Sequence, residues 1–158
     1  MGERLKGKNA IVTGSGRGVF KEVALAFAAE GARVLVVDPG VSRGGEDSDI
    51  AIAEKVVQEI KSKGGEAAAC LDSITGFDTA EKIIKTCVDT FGGLDILVNG
   101  AGVLRERMVF NMTEDDWDAV LLVHLKGTFN MCRHASTIMR EQKQGRILNC
   151  TSDVYRYG

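Results

Sequence analysis

A chain of 158 residues, 44% hydrophobic and with a formal charge of −2, has the length for one ordinary core and none of the compositional marks of disorder. Its 20 Lys and Arg are interspersed with 22 Asp and Glu, so no extended field forms to gather a polyanion, and nucleic acid is excluded as an expected partner. The apolar runs at residues 34–37 and 120–123 fall far short of the roughly 20 residues a bilayer requires, and the first four residues carry no apolar signal segment, so a cytoplasmic protein with no membrane partner is expected.

Taken in chain order, Asn9-Ala10-Ile11-Val12 is a short apolar run that ends in the glycine cluster Gly14, Gly16 and Gly18, and residues 19–30 then show helical spacing. Gly31 stops that helix. Residues 33–38 form a β-branched run of the kind covered on both faces of a sheet. A polar, glycine-rich loop over 39–48 leads to a helix over 50–63, marked by Ile52, Val56, Val57 and Ile60. A third strand over Glu66–Cys70, a helix over 79–91 and a fourth strand over 94–99 follow. Thr113, with Glu114, Asp115 and Asp116 behind it, reads as the N-cap and acidic first turn of a helix that continues, with a break, to about Gln142. Residues 146–150 make a fifth strand. Strands alternating with helices predict an α/β protein with a doubly wound parallel sheet, formed as one domain over 1–158.

Cys70, Cys87, Cys132 and Cys150 lack both metal-ligand and C-x-x-C spacing, which suits a reducing compartment, and His124 and His134 add no metal spacing. All four thiols read as small packed hydrophobes, and no metal is expected.

The first strand-to-helix turn of such a sheet is where a pyrophosphate meets a helix amino terminus, and Gly14 to Gly18 occupy it. Asp38 ends the second strand, 20 positions after Gly18, where a carboxylate accepts hydrogen bonds from an adenosine ribose. It would also repel the extra phosphate of NADP, since like charges about 4 Å apart cost roughly 1 to 4 kcal/mol at effective dielectrics of about 80 to 20. NAD is therefore expected in preference to NADP. Arg17, a cation in the glycine turn, argues the other way.

Thr13-Gly14-Ser15-Gly16-Arg17-Gly18 resembles the T-G-x-x-x-G-x-G pattern of the short-chain dehydrogenase/reductase family. Asp38 matches its ribose acid, Asp72-Ser73 its adenine-contacting pair, Asn99-Gly100-Ala101-Gly102 its N-N-A-G segment, and Asn149-Cys150-Thr151-Ser152 the segment carrying its catalytic serine. Leu104 to Met108, Glu114 to Trp117 and Val123 to Gly127 are similar to the (3R)-hydroxyacyl-CoA dehydrogenase region of multifunctional β-oxidation enzymes, with 3-oxoacyl carrier-protein reductases nearby. The resemblance implies a Rossmann-like three-layer sandwich with strand order 3-2-1-4-5. It also implies a cofactor site built from Thr13, Gly14, Arg17, Gly18, Val19, Asp38, Asp72, Ser73, Asn99, Gly100, Ala101 and Gly102. In its complete form such a protein would transfer hydride between NAD(H) and a 3-hydroxyacyl or 3-oxoacyl thioester, or a similar alcohol or ketone, and could be a homo-oligomer.

Three positions depart from the pattern. Phe20 stands where the motif closes on a glycine that lets the first helix pack closely, so the ring must point away or take space near the cofactor. Gly100 replaces the second Asn of N-N-A-G. His124 replaces the helix Asn that holds a water, as in the hydroxyacyl-CoA branch, and its expected role is structural. The resemblance gives Ser152 a hydrogen bond to the substrate carbonyl, beside a Tyr-x-x-x-Lys pair that does not appear before Gly158. Tyr155 and Tyr157 lie too close to Ser152 to stand in. A positioned general acid is worth about 100-fold to 10,000-fold in rate, so the 158 residues alone are expected to be catalytically incompetent or nearly so. The alternative function is a noncatalytic nucleotide-binding or interaction module.

Overall fold

Asn9–Thr13 (β1), Arg33–Val37 (β2), Glu66–Cys70 (β3), Ile96–Asn99 (β4) and Arg146–Asn149 (β5) hydrogen-bond into one parallel sheet in the order β3-β2-β1-β4-β5. The helices between them are Gly18–Ala29 (α1), Ile52–Ser62 (α2), Phe77–Phe91 (α3), Glu114–Leu121 (α4) and Thr128–Gln142 (α5). The computed structural model describes residues 2–41, 49 and 51–152. Most of the loop expected over 39–48, the helix start expected at Ile50, and Tyr155 and Tyr157 lie outside the described residues.

Side chains alternate faces along a strand, and the central strands are apolar at both parities because both faces are covered. Ile11, Leu35 and Leu97 point to one side and pack with Ile83 and Ile84 of α3 and Met131 and Ala135 of α5. Val12, Val34, Val36 and Val98 point to the other and meet Ala24 and Ala28 of α1 and Val56 and Ile60 of α2. The result is the expected doubly wound, three-layer sandwich. In register, Ala10 faces Val34 on one side of β1 and Ile96 on the other, so the crossing from the first half of the sheet to the second lies at β1 and β4.

Several element boundaries differ from the periodicity, each for a local reason. Leu94 does not join β4, because the Gln142 side chain takes both its amide (3.1 Å) and its carbonyl (2.8 Å). α3 starts at Phe77 rather than Thr79, since the Thr79 hydroxyl hydrogen-bonds back to the Ser73 and Gly76 carbonyls and tightens the turn before it. The break expected in the fourth helical stretch is a π-helical segment, Leu122–Gly127, between α4 and α5. α4 opens with a reciprocal capping box: the Thr113 hydroxyl accepts from the Asp116 amide at 3.1 Å, while the Asp116 carboxylate takes the Thr113 amide and hydroxyl. These bonds, with Arg107 and Arg105 nearby, hold the Asp116 carboxyl below the usual carboxylate range.

Candidate functional site

Four strand-to-helix loops meet at the carboxyl ends of β1, β2, β3 and β4, and with the π-helical segment they line a cavity of about 320 Å³, within the size range of small-molecule sites. The loops are fastened to one another by the chain itself. Gly14 has φ 68°, open to glycine at no steric cost, and any Cβ there would fall within 3 Å of the Ala101 backbone. Beside it the buried Thr13 hydroxyl accepts the Gly100 amide at 3.0 Å and the Ala101 amide at 3.1 Å. The glycine turn after β1 and the turn after β4 are thereby held edge to edge.

Asp38 lies in this cavity at 6% exposure. One carboxylate oxygen accepts the Gly16 amide at 2.9 Å and the other the Gly40 amide at 2.8 Å. A Cβ at Gly16 would collide with Ile52 Cγ2 and with that carboxylate, so glycine lets the backbone reach Asp38 under Ile52. Two ionised oxygens offer about four acceptor sites, so two amides leave capacity for a ligand hydroxyl. The amino terminus of α1 opens on the same cavity through Arg17, Gly18 and Val19. It has no side-chain cap and no acidic residue in its first turn, leaving unpaired amides and the positive end of the helix dipole for an anion.

Of the residues expected from sequence, Gly14, Arg17, Gly18, Val19, Asp38, Ser73, Gly100, Ala101, Gly102 and His124 all line the cavity. Thr13, Asp72, Asn99 and Ser152 are not part of the lining. Thr13 acts behind it as the clamp just described. Asp72 is paired with Lys82 at 2.9 Å, which raises the lysine's pKa. Asn99 donates to the Asn149 side chain at 2.8 Å and to Cys132 Sγ at 3.3 Å, tying the ends of β4 and β5 to α5. Ser152 is exposed, three positions beyond the end of β5.

His124 sits on the π-helical segment with Nε2 at 2.9 Å from the Val103 carbonyl and 3.1 Å from the Val103 amide; the tautomer decides which of the two it serves. Either bond pins the loop after β4. Gly102 makes the approach feasible, since a Cβ there would strike the imidazole.

Two contributors are absent from the motif reading. Fully buried Asn130 of α5 donates to the Ile74 and Thr75 carbonyls at 3.0 and 3.1 Å, fixing a loop that supplies Ser73, Ile74 and Thr75 to the cavity. An Asn in the middle of a helical run is a poor helix former, and that was the available signal. Gly40, which shares Asp38 with Gly16, gave none. Among the described residues no group of three or more His, Cys, Asp or Glu is placed to hold a metal ion, and no helix is long and apolar enough to cross a membrane.

Residues 8–158 match the family model described as short chain dehydrogenase. The chain is 46% identical over its whole length to the peroxisomal multifunctional enzyme A of Dictyostelium discoideum, of which it covers 35%. It is 38% identical over 151 residues to a 3-oxoacyl-acyl-carrier-protein reductase of Staphylococcus aureus, matching 96% of this chain and 58% of that one. A crystal structure of a short chain dehydrogenase from Mycobacterium avium superposes with a TM-score of 0.85 at 46% identity, covering 94% of this chain and 53% of its own. The chain thus spans between about a third and somewhat over half of these relatives.

Proposed function

This chain is a member of the short chain dehydrogenase family, and on that footing we propose that its cleft binds a nicotinamide dinucleotide, NAD in preference to NADP. The observation that carries this reading is the buried Asp38 carboxylate, oriented by the Gly16 and Gly40 amides at the end of β2. A carboxylate held this way accepts ribose hydroxyls and repels a phosphate in their place. The uncapped start of α1, with the amides of the Gly14 to Gly18 turn, suits a pyrophosphate, and the presence of Arg17 does not remove the charge of Asp38. Asp72, with Ser73 and the loop that Asn130 fixes, would flank the adenine. The backbone from Asn99 through Gly100, Ala101 and Gly102, clamped by Thr13, would run along the other wall.

The bound nicotinamide would supply the redox chemistry, giving or taking a hydride, while the protein supplies binding, orientation and electrostatics. His124 would hold the loop after β4 against the cleft through Val103 rather than exchange protons with a substrate. Ser152 would hydrogen-bond a substrate carbonyl. The name of the carrier-protein reductase relative supports interconversion of a 3-oxoacyl thioester with its 3-hydroxy form, or of a similar ketone and alcohol. Exposed Trp117, Leu125 and Phe129 support self-association.

Calorimetric titration with NADH and, separately, NADPH tests the cofactor reading. Saturable binding that favours NADH is the expected result. No heat with either, from protein shown to be folded, would overturn it.

A further inference from the structure

Phe20 and Gly100, two of the three departures from the family pattern, are neighbours across the cleft. Phe20 is half-buried on the first turn of α1, and its ring lines the cavity together with Gly14, Gly18, Gly100 and Ala101. A Cβ on Gly100 would fall on ring atoms Cγ, Cδ1 and Cδ2 of Phe20. These atoms are at the root of the ring, so no small torsion clears them. Nor does the backbone demand glycine at 100, because its φ lies outside the left-handed region occupied by Gly14 and Gly18. The nearest atoms a side chain there would meet are those of the phenyl ring.

The converse constraint is as strong. On a helix an aromatic side chain has two accessible χ1 wells, so a ring displaced from Gly100 must change well rather than slide. The ring is bounded by the cleft on one side and by the hydrophobic cluster under α1 and α2 on the other. We propose that Phe20 and Gly100 form a coupled pair of cofactor-positioning residues: the bare α-carbon of Gly100 seats the ring, and the seated ring is an apolar wall that leaves the glycine turn and Asp38 open to the dinucleotide. The proposal rests on the dinucleotide reading above.

A mutant cycle tests it, with NADH affinity and thermal midpoint measured for the wild type, Gly100→Ala, Phe20→Ala and the double variant. With the ring present, Gly100→Ala should weaken NADH binding by about tenfold or more, the scale of overpacking a filled site. With Phe20→Ala as the reference, adding Gly100→Ala should change affinity by less than about threefold, the level at which independent sites simply add. Equal losses in both backgrounds would overturn the proposal, as would coupling seen in the thermal midpoint but not in affinity, which would reduce the pair to packing. A wild type that binds neither NADH nor NADPH would instead bring down the cofactor reading, and the proposal with it.

Discussion

Removing the Asp38 carboxylate separates its two jobs. In Asp38→Ala the buried Gly16 and Gly40 amides lose their acceptors, and each unsatisfied buried donor costs about 1 to 3 kcal/mol. Cavity water recovers part of that, so a net loss of about 2 to 4 kcal/mol is expected, or roughly 5 to 15 °C in thermal midpoint for a domain of this size. Asp38→Asn keeps one acceptor oxygen but turns an NH2 toward the other amide, and should lose about half as much. The same variant abolishes the negative charge. At about 4 Å, repulsion of a phosphate is worth at least about 1 kcal/mol, so the ratio of NADPH to NADH affinity should rise at least about fivefold in Asp38→Asn. Differential scanning calorimetry and fluorescence titration with both dinucleotides read the two effects on one preparation. An Asp38→Ala midpoint equal to that of the wild type would refute the amide-holding role, and an unchanged NADPH to NADH ratio in Asp38→Asn would refute the discrimination.

Thr113→Ala should lower the thermal midpoint by about 2 to 4 °C through loss of the α4 cap while Thr113→Ser largely preserves it, and equal midpoints for all three would show that the box contributes nothing. Glu59, bonded to Lys21 of α1 and Lys63 beyond α2, has its pKa lowered from the ordinary 4.5 to about 2. A depressed carboxyl stabilises the fold above its unfolded pKa and loses that contribution as pH falls through the folded one, so Glu59→Gln should flatten the acid limb of stability between pH 4.5 and about 2. Parallel acid limbs in the two proteins would exclude the linkage. Burial, with Asp95 nearby, pushes the Cys87 thiol up to about 12, whereas Cys150 is exposed. Alkylation followed by peptide mass spectrometry should mark Cys150 in the native protein and Cys87 only after unfolding, and rapid native labelling of Cys87 would contradict the packing.

The fold was legible because its information is periodic: two-sided apolar strands such as 33–37 and helices with one apolar stripe such as α2 have few other places to go. Cleft-lining residues were legible for a different reason. Gly14, Gly18 and Asp38 answer local backbone and charge requirements that recur at fixed chain spacing. What stayed hidden depends on contacts between distant segments. Nothing at Leu94 announces that Gln142 will take its amide and carbonyl and keep it out of β4. Asn99 fits its motif, yet it faces Asn149 and Cys132 rather than the cavity. Phe20 and Gly100 were each readable as an oddity, but their compensation in volume exists only once α1 and the turn after β4 are brought together.

The clamp between Thr13 and Gly100 joins positions 87 residues apart. β1, β2 and β3 can zip together through successive crossovers, whereas β4 must find β1 across the whole intervening chain, and closing that loop is entropically the more demanding step. Asp38 and the glycine turn belong to the first half of the molecule, and the opposite wall belongs to the second. A folding intermediate with only its first three strands paired would own Asp38 and still have no cleft. If the cleft binds the dinucleotide as proposed, binding reports the docking of β4 on β1, and a refolding experiment followed by NADH fluorescence should lag one followed by backbone circular dichroism.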